Sequence, residues 1–335
     1  MKRILHAAAM TLLLAGSAAA QNAPPAACEG QDPLAALRVE KPEAYATYKA
    51  ETARIPNAEG LLWRIEKQNL PPSYLFGTIH MTDSRATELP SQVLEALEES
   101  TTVAVELAAV GDETATAQAT RALLTRAAEP DSTSPALPFL TDDERHRVVE
   151  ALGARGMPRQ TIHVFKPWFV TMALAIPPCE LARKSARLDS VDELIARSAR
   201  KRGLPVVGLE EETEQLDVIT SLAPWILEAS LRDLVRSESR NRDLLEMLVS
   251  LYVRREVGGL VPAYRQVILP EENLPASIAF IDALMGSRNN VMRDRAQPLL
   301  EEGRAFIAVG ALHLPGEGGL VELFRKEGYR LTRVW

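Results

Sequence analysis

The sequence predicts an α/β fold: a mixed, largely parallel sheet flanked by helices, with a helical insertion in the middle of the chain. Three observations carry this. Short apolar runs of strand length cluster toward the two ends of the 335-residue chain. Helical periodicity dominates the middle. Strand–helix–strand segments run from Tyr74 to Leu107 and from Phe306 to Leu331, the pattern of crossover units on a parallel sheet.

The first twenty residues stand apart. Met1-Lys2-Arg3 is a short basic start, Ile4 to Ala15 is apolar, and Ala18-Ala19-Ala20 is a small-residue cleavage site before Gln21. This is the order of a secretory signal, with an apolar part too short to span a bilayer. The expected organisation is a signal over 1–20, an N-terminal tail and helix over 21–60, and an α/β domain over 61–335 with helical insertions at about 110–200 and 211–300. The mature protein is expected to be periplasmic or secreted, with no membrane span once the signal is removed. Export would put Cys28 and Cys179 in an oxidising compartment. There they can join and pin the N-terminal tail to the body; two free thiols are the alternative.

The strands come in order. Leu61 to Ile65 and Ser73 to Phe76 read as adjacent strands around a turn at Pro71-Pro72. Pro90 opens a helix carrying Val93, Leu94 and Leu97, and Thr102 to Leu107 is the next strand. Pro130 to Pro138 is a loop. Thr141 with Glu144 forms a capping box, followed by an apolar stripe at Val148, Val149 and Leu152. Val191, Leu194 and Ile195 give a second stripe, ending at Gly203, and Pro205 to Leu209 is a short buried strand. Trp225 to Arg255 reads as one long helical stretch. Ala305 to Val309, a helix around Val321 to Phe324, and Tyr329 to Leu331 close the chain.

Composition bounds the function. With 46% hydrophobic and 25% charged residues the chain is globular, and with only 5% aromatics its core must be mainly aliphatic. A balance of 38 Lys+Arg against 45 Asp+Glu, net −7, argues against a nucleic-acid protein, whose affinity rests on a basic surface.

One internal echo carries the chemistry. Phe76-Gly77-Thr78-Ile79-His80 and Val309-Gly310-Ala311-Leu312-His313 are the same device, an apolar strand closed by Gly-x-x-His. Gly77 and Gly310 permit sharp turns or close backbone approach. Ligands of open α/β sheets sit beyond the carboxyl ends of the strands, so both imidazoles should face one crevice. Glu106 and Glu210 end two further strands, in apolar runs where a charge must be paired or bound to a cation. Two imidazoles with one or two carboxylates can form the ligand shell of a catalytic divalent metal. The same set could work without metal by general acid–base catalysis. Arg288-Asn289 precede the second strand–GxxH unit, and arginine suits a carboxylate or an oxyanion. His146 and His163 read as surface residues.

These residues, with Leu62-Trp63-Arg64-Ile65, Gln215, Asn290-Val291-Met292, Leu314, Gly316 and Gly328-Tyr329, resemble the TraB/GumN family, related to the TIKI metalloproteases and more remotely to erythromycin-esterase-like proteins. The resemblance runs from about Leu61 to the C-terminus. It implies an α/β fold and divalent-metal-dependent peptidase chemistry, with manganese or cobalt favoured in the TIKI proteins; zinc is the further choice for a nitrogen-rich shell. By that similarity His80, Glu106 and His313 are metal ligands, Glu210 is a ligand or general base, and Arg288 and Asn289 support the site. The chain is expected to lack the membrane anchor of the TIKI proteins, so a tethered substrate is not implied. Two functions follow as expectations. One is an exported metal-dependent hydrolase acting on a peptide or another small envelope substrate. The other is a non-catalytic periplasmic protein that sequesters a peptide or an envelope-glycan component, a role the pheromone-shutdown relatives suggest.

Overall fold

A computed structural model of the chain describes residues 28, 30–128, 137–267 and 274–335. The expected signal over 1–20 and most of the loop expected at Pro130–Pro138 lie outside the described residues. Six strands form one open sheet: β1 Leu62–Glu66, β2 Ser73–Thr78, β3 Thr102–Leu107, β4 Val206–Glu210, β5 Ala305–Gly310 and β6 Arg330–Arg333. Their spatial order is β4-β3-β5-β2-β1-β6. The β4–β3, β3–β5 and β5–β2 pairs are parallel, while β1 runs antiparallel to both β2 and β6. The sheet is therefore mixed and mostly parallel.

Central strands of a two-faced sheet must be apolar on both sides. Every residue of β2 is buried, as are all but the last of β5. The period of two divides their side chains between two cores. Phe76, Val103, Val105 and Phe306 pack on one face with Val93, Val191, Ile195 and Tyr252. Leu75, Ala104, Ile307 and Val309 pack on the other with Met292, Ala296, Val321 and Phe324. A third cluster, around Val148, Leu152, Trp168 and Leu231, lies among the helices between strands.

The crossover segments span more than one strand position. β5 lies between β2 and β3, and β2 and β1 lie between β5 and β6, so neither unit joins neighbouring strands. Hydrophobic pattern sets which faces are buried but not the lateral order of equally apolar strands. The region before β1 also holds two helices, Pro33–Glu40 and Pro42–Thr52, rather than a tail and one helix. Asp32 caps the first through the Leu34 N–H, and a proline opens each. The stretch Trp225 to Arg255 is likewise broken. Pro224–Arg236 and Glu238–Val253 are separate helices, and Ser237, extended at φ −156°, caps the second by accepting from the Arg240 N–H. A serine hydroxyl competes for backbone donors in this way, and apolar periodicity does not register it.

The longest helix among the described residues, Leu274–Glu302, runs into β5 and buries Arg288, Asn289, Met292, Ala296 and Leu300. Cys28 and Cys179 are joined by a disulfide, with Cα atoms 5.4 Å apart. Among the described residues no helix is long and apolar enough to cross a membrane.

Candidate functional site

The two Gly-x-x-His motifs meet because β2 and β5 are neighbouring parallel strands. Gly77 stands opposite Val309, and Thr78 opposite Gly310, so both motifs leave the sheet at the same end. β3 flanks β5 on the other side and brings Glu106 to that end, and β4, paired to β3, adds Glu210 opposite Leu107. Four separate parts of the chain thus deliver their polar groups to one crevice beyond the carboxyl ends of the strands.

Glu106 is the centre of the set. His313 Nε2 lies 3.7 Å from its Oε1 and His80 Nε2 lies 3.8 Å from its Oε2. The Gly310 N–H donates to Oε1 at 2.5 Å, and Arg288 Nη2 donates to Oε2 at 3.1 Å. Gly310 is required by closeness: a Cβ there would lie 2.9 Å from Glu106 Oε1. Gly77 serves β2 in the same way, since its Cβ would meet Ala311 Cα at 3.0 Å. Glu210 does not face the imidazoles. Arg288 Nε donates to its Oε1 at 2.7 Å and Nη2 to its Oε2 at 2.6 Å, while Gln215 Nε2 donates to Oε2 at 3.0 Å. Glu210 therefore holds Arg288, and Arg288 links the two carboxylates.

Each imidazole has a partner for its far nitrogen. Asn289 donates through Nδ2 to Gly318 O, which turns its Oδ1 onto His313 Nδ1. Asp192 Oδ1 lies 3.1 Å from His80 Nδ1. Asn289 Oδ1 can only accept, so His313 carries its hydrogen on Nδ1 and presents Nε2 to Glu106, while His80 meets Asp192 as an ion pair and also turns Nε2 to Glu106. The electrostatics then diverge. Burial pushes His313, 2% exposed, down to about 4, so it stays a neutral acceptor. His80 keeps 59% of its side chain exposed. Desolvation opposes its charge, yet Asp192 and then Glu106 outweigh it and push it up to about 9. Desolvation likewise works against the Glu106 charge, but the His80 and Arg288 charges and the Gly310 N–H hold its carboxyl below the usual range.

The donor set fits a divalent cation. Two ring nitrogens face one carboxylate; His313 has the outer hydrogen-bond partner typical of a metal-ligating histidine, and His80, charged and ion-paired with Asp192 in the metal-free site, would give up its Nε2 proton to bind an ion. Among the described residues no three His, Cys, Asp or Glu side chains already stand at metal-binding separations.

Of the residues expected from sequence, His80, Glu106, His313 and Gly310 line one cavity of about 310 Å³ together with Arg288. Asn289 and Glu210 sit behind that lining, each hydrogen-bonded to one of its members. His146 and His163 are exposed and lie elsewhere. Asp192 escaped the sequence reading. It opens the helix Val191–Lys201 beside a capping box formed by Ser190 and Glu193, and so looks like one more acid in a first helical turn.

Residues 61–333 match the model of the TraB/PrgY/gumN family. The chain belongs to that family. Among its relatives, the uncharacterized protein YbaP of Shigella flexneri is 26% identical over 255 residues, covering 76% of this chain and 88% of that protein. YbaP of Escherichia coli strain K12 is 25% identical over 254 residues, 75% of this chain and 87% of its own length. The metalloprotease TIKI1 of Danio rerio is 23% identical over 318 residues, covering 82% of this chain and 63% of TIKI1. No solved structure matches the chain. The family match begins at Leu61, one residue before β1, and takes in every group of the candidate site.

Proposed function

We propose that this TraB/PrgY/gumN-family protein is an exported, divalent-metal-dependent hydrolase that acts on a peptide bond. The observation that carries the reading is the convergence of His80 Nε2 and His313 Nε2 on the Glu106 carboxylate, at 3.8 and 3.7 Å. His80, Glu106 and His313 would hold the ion, of manganese, cobalt or zinc class. Such an ion supplies a Lewis acid for the substrate carbonyl and acidifies water near neutral pH. The remaining chemistry belongs to the chain. Asn289 fixes the tautomer and orientation of His313, and Asp192 orients His80 by its charge. Arg288, fixed by Glu210, holds Glu106 ionised and in place. That arrangement favours Glu210 as a positioning group over a general base, and turns the Arg288 Nε and Nη2 edge to the carboxylates rather than to an oxyanion. The apolar walls of the cavity strengthen the polar contacts made against them. The similarity to a protein named a metalloprotease supports the reaction class.

The Cys28–Cys179 disulfide and the apolar N-terminal segment support export into an oxidising compartment, the periplasm or beyond. A protein that merely sequesters its ligand would use the same cavity without the ion. Metal analysis of the purified protein, with peptide cleavage before and after chelation, separates the two. The expected result is stoichiometric metal, lost in the His80→Ala/His313→Ala double variant, and cleavage abolished by chelation and restored by added metal. Unchanged metal content in the double variant would overturn the reading.

A further inference from the structure

The cavity that holds the polar cluster is chemically lopsided. Its floor is His80, Glu106, Arg288 and His313, and its walls are aliphatic. Leu248 and Leu251 come from the helix Glu238–Val253, and Leu284 and Met285 from the helix Leu274–Glu302, while Val257 and Leu260 lie between them. Two hydroxyls also line it: Tyr252 donates to Gly77 O at 2.9 Å, and Thr78, at the end of β2, keeps its buried Oγ1 without a hydrogen-bond partner. The volume of about 310 Å³ is at the small end of ligand sites, which suits one side chain with its local backbone and not a long extended segment.

We propose that this cavity is the recognition pocket for one large apolar side chain, of the leucine, methionine or phenylalanine type, in a peptide whose neighbouring amide reaches His80, Glu106 and His313. The assignment of that amide rests on the hydrolase reading above; the occupant of the pocket follows from the walls alone. An acidic side chain would meet the Glu106 charge and find Arg288 Nε and Nη2 already committed to two carboxylates. A lysine would leave water for aliphatic walls and a carboxylate already paired with arginine, a desolvation without compensation. A leucine costs nothing of this kind and gains by burial. Met285 and Leu248, both half-buried, are the wall residues open to exchange, and a methionine wall adapts to several apolar shapes.

The test uses the full mature protein and capped, amidated hexapeptides that differ only in a central Leu, Gly, Asp or Lys. Calorimetry on metal-free protein reads binding without turnover. The Leu peptide should bind roughly 10- to 100-fold more tightly than the Gly peptide, the change expected for burying one such side chain, with Asp weaker still. Met285→Glu should erase the preference for Leu and favour Lys, and Leu248→Glu gives a second reading should the first variant fail to fold. In metal-loaded protein, cleavage of a peptide library should show apolar residues enriched at one position beside the cut. Equal binding of all four peptides, or an unchanged preference in both folded variants, overturns the pocket. Selective binding with no cleavage under any metal leaves the pocket standing and removes the hydrolase. Cleavage indifferent to side chain does the reverse.

Discussion

The Glu180 carboxylate accepts a hydrogen bond from the Thr82 backbone N–H at 2.6 Å, two residues beyond His80. Glu180 is 2% exposed and directly follows Cys179, which is bonded to Cys28. Its second oxygen lies 3.5 Å from Arg183, which also approaches Asp83. The loop that carries His80 is thus tied to a helix that the disulfide anchors. Glu180→Ala would leave a buried N–H and a poorly compensated arginine, at a cost of about 1–3 kcal/mol. Urea unfolding should show that loss, and metal affinity should fall with it. Glu180→Gln, which keeps an acceptor for Thr82, should recover most of the affinity.

Removing the disulfide acts on the unfolded chain more than on the site. Its two cysteines are 151 residues apart, so Cys28→Ser with Cys179→Ser should lower stability by about 2–4 kcal/mol in urea titrations. A change below experimental error would mean that the native fold gains nothing from the tether.

Arg288 carries an unusual load, one guanidinium between two buried carboxylates. Arg288→Met should cost about 3–5 kcal/mol, because it leaves Glu106 and Glu210 close together and uncompensated. Adding Glu210→Leu should return a large part of that loss. A double-mutant cycle measures the coupling, and simple additivity would show that the pair is not a unit.

Asp83 supplies the pH dependence. Its side chain accepts from the Arg85 N–H and guanidinium, and those bonds, with the Arg183 charge, hold its carboxyl below the usual range despite partial burial. A depressed carboxyl stabilises the fold above its unfolded value, and the gain disappears as pH falls through the lowered value. Asp83→Asn should therefore be less stable than the parent at pH 7, by about 1 kcal/mol or less given the exposed Arg85 partner. The two should converge only as pH falls below the lowered Asp83 value. Unfolding midpoints across that range check the sign.

Gly310→Ala tests closeness at the site. Gly310 has φ −50°, open to alanine, so any effect must come from the Cβ placed 2.9 Å from Glu106 Oε1. We expect a stability cost of about 1–3 kcal/mol and weakened metal uptake, read by calorimetry. Gly286→Ala, at a position where a Cβ meets nothing within 4 Å, is the matched control.

All six strands were legible, because a doubly covered parallel sheet needs short apolar runs with few alternatives. Gly77 and Gly310 marked the ends of β2 and β5, and the repeated histidine drew attention to both. The break at Ser237 was hidden, since a hydroxyl that caps a helix leaves the apolar spacing intact. Asp192 was hidden for another reason: its partner His80 is 112 residues away in the chain, and nothing local distinguishes it from its neighbour Glu193.

The chain's own residues determined the element types, the paired Gly-x-x-His motifs and the strand-end acids, because periodicity and residue chemistry are local properties. The tertiary structure decided that β5 enters between β2 and β3, and so that His80, Glu106 and His313 share one cavity. It also decided that Glu210 grips Arg288 instead of facing that cavity. Lateral strand order and side-chain pairing depend on how distant surfaces fit together, and no stretch of sequence encodes that fit on its own.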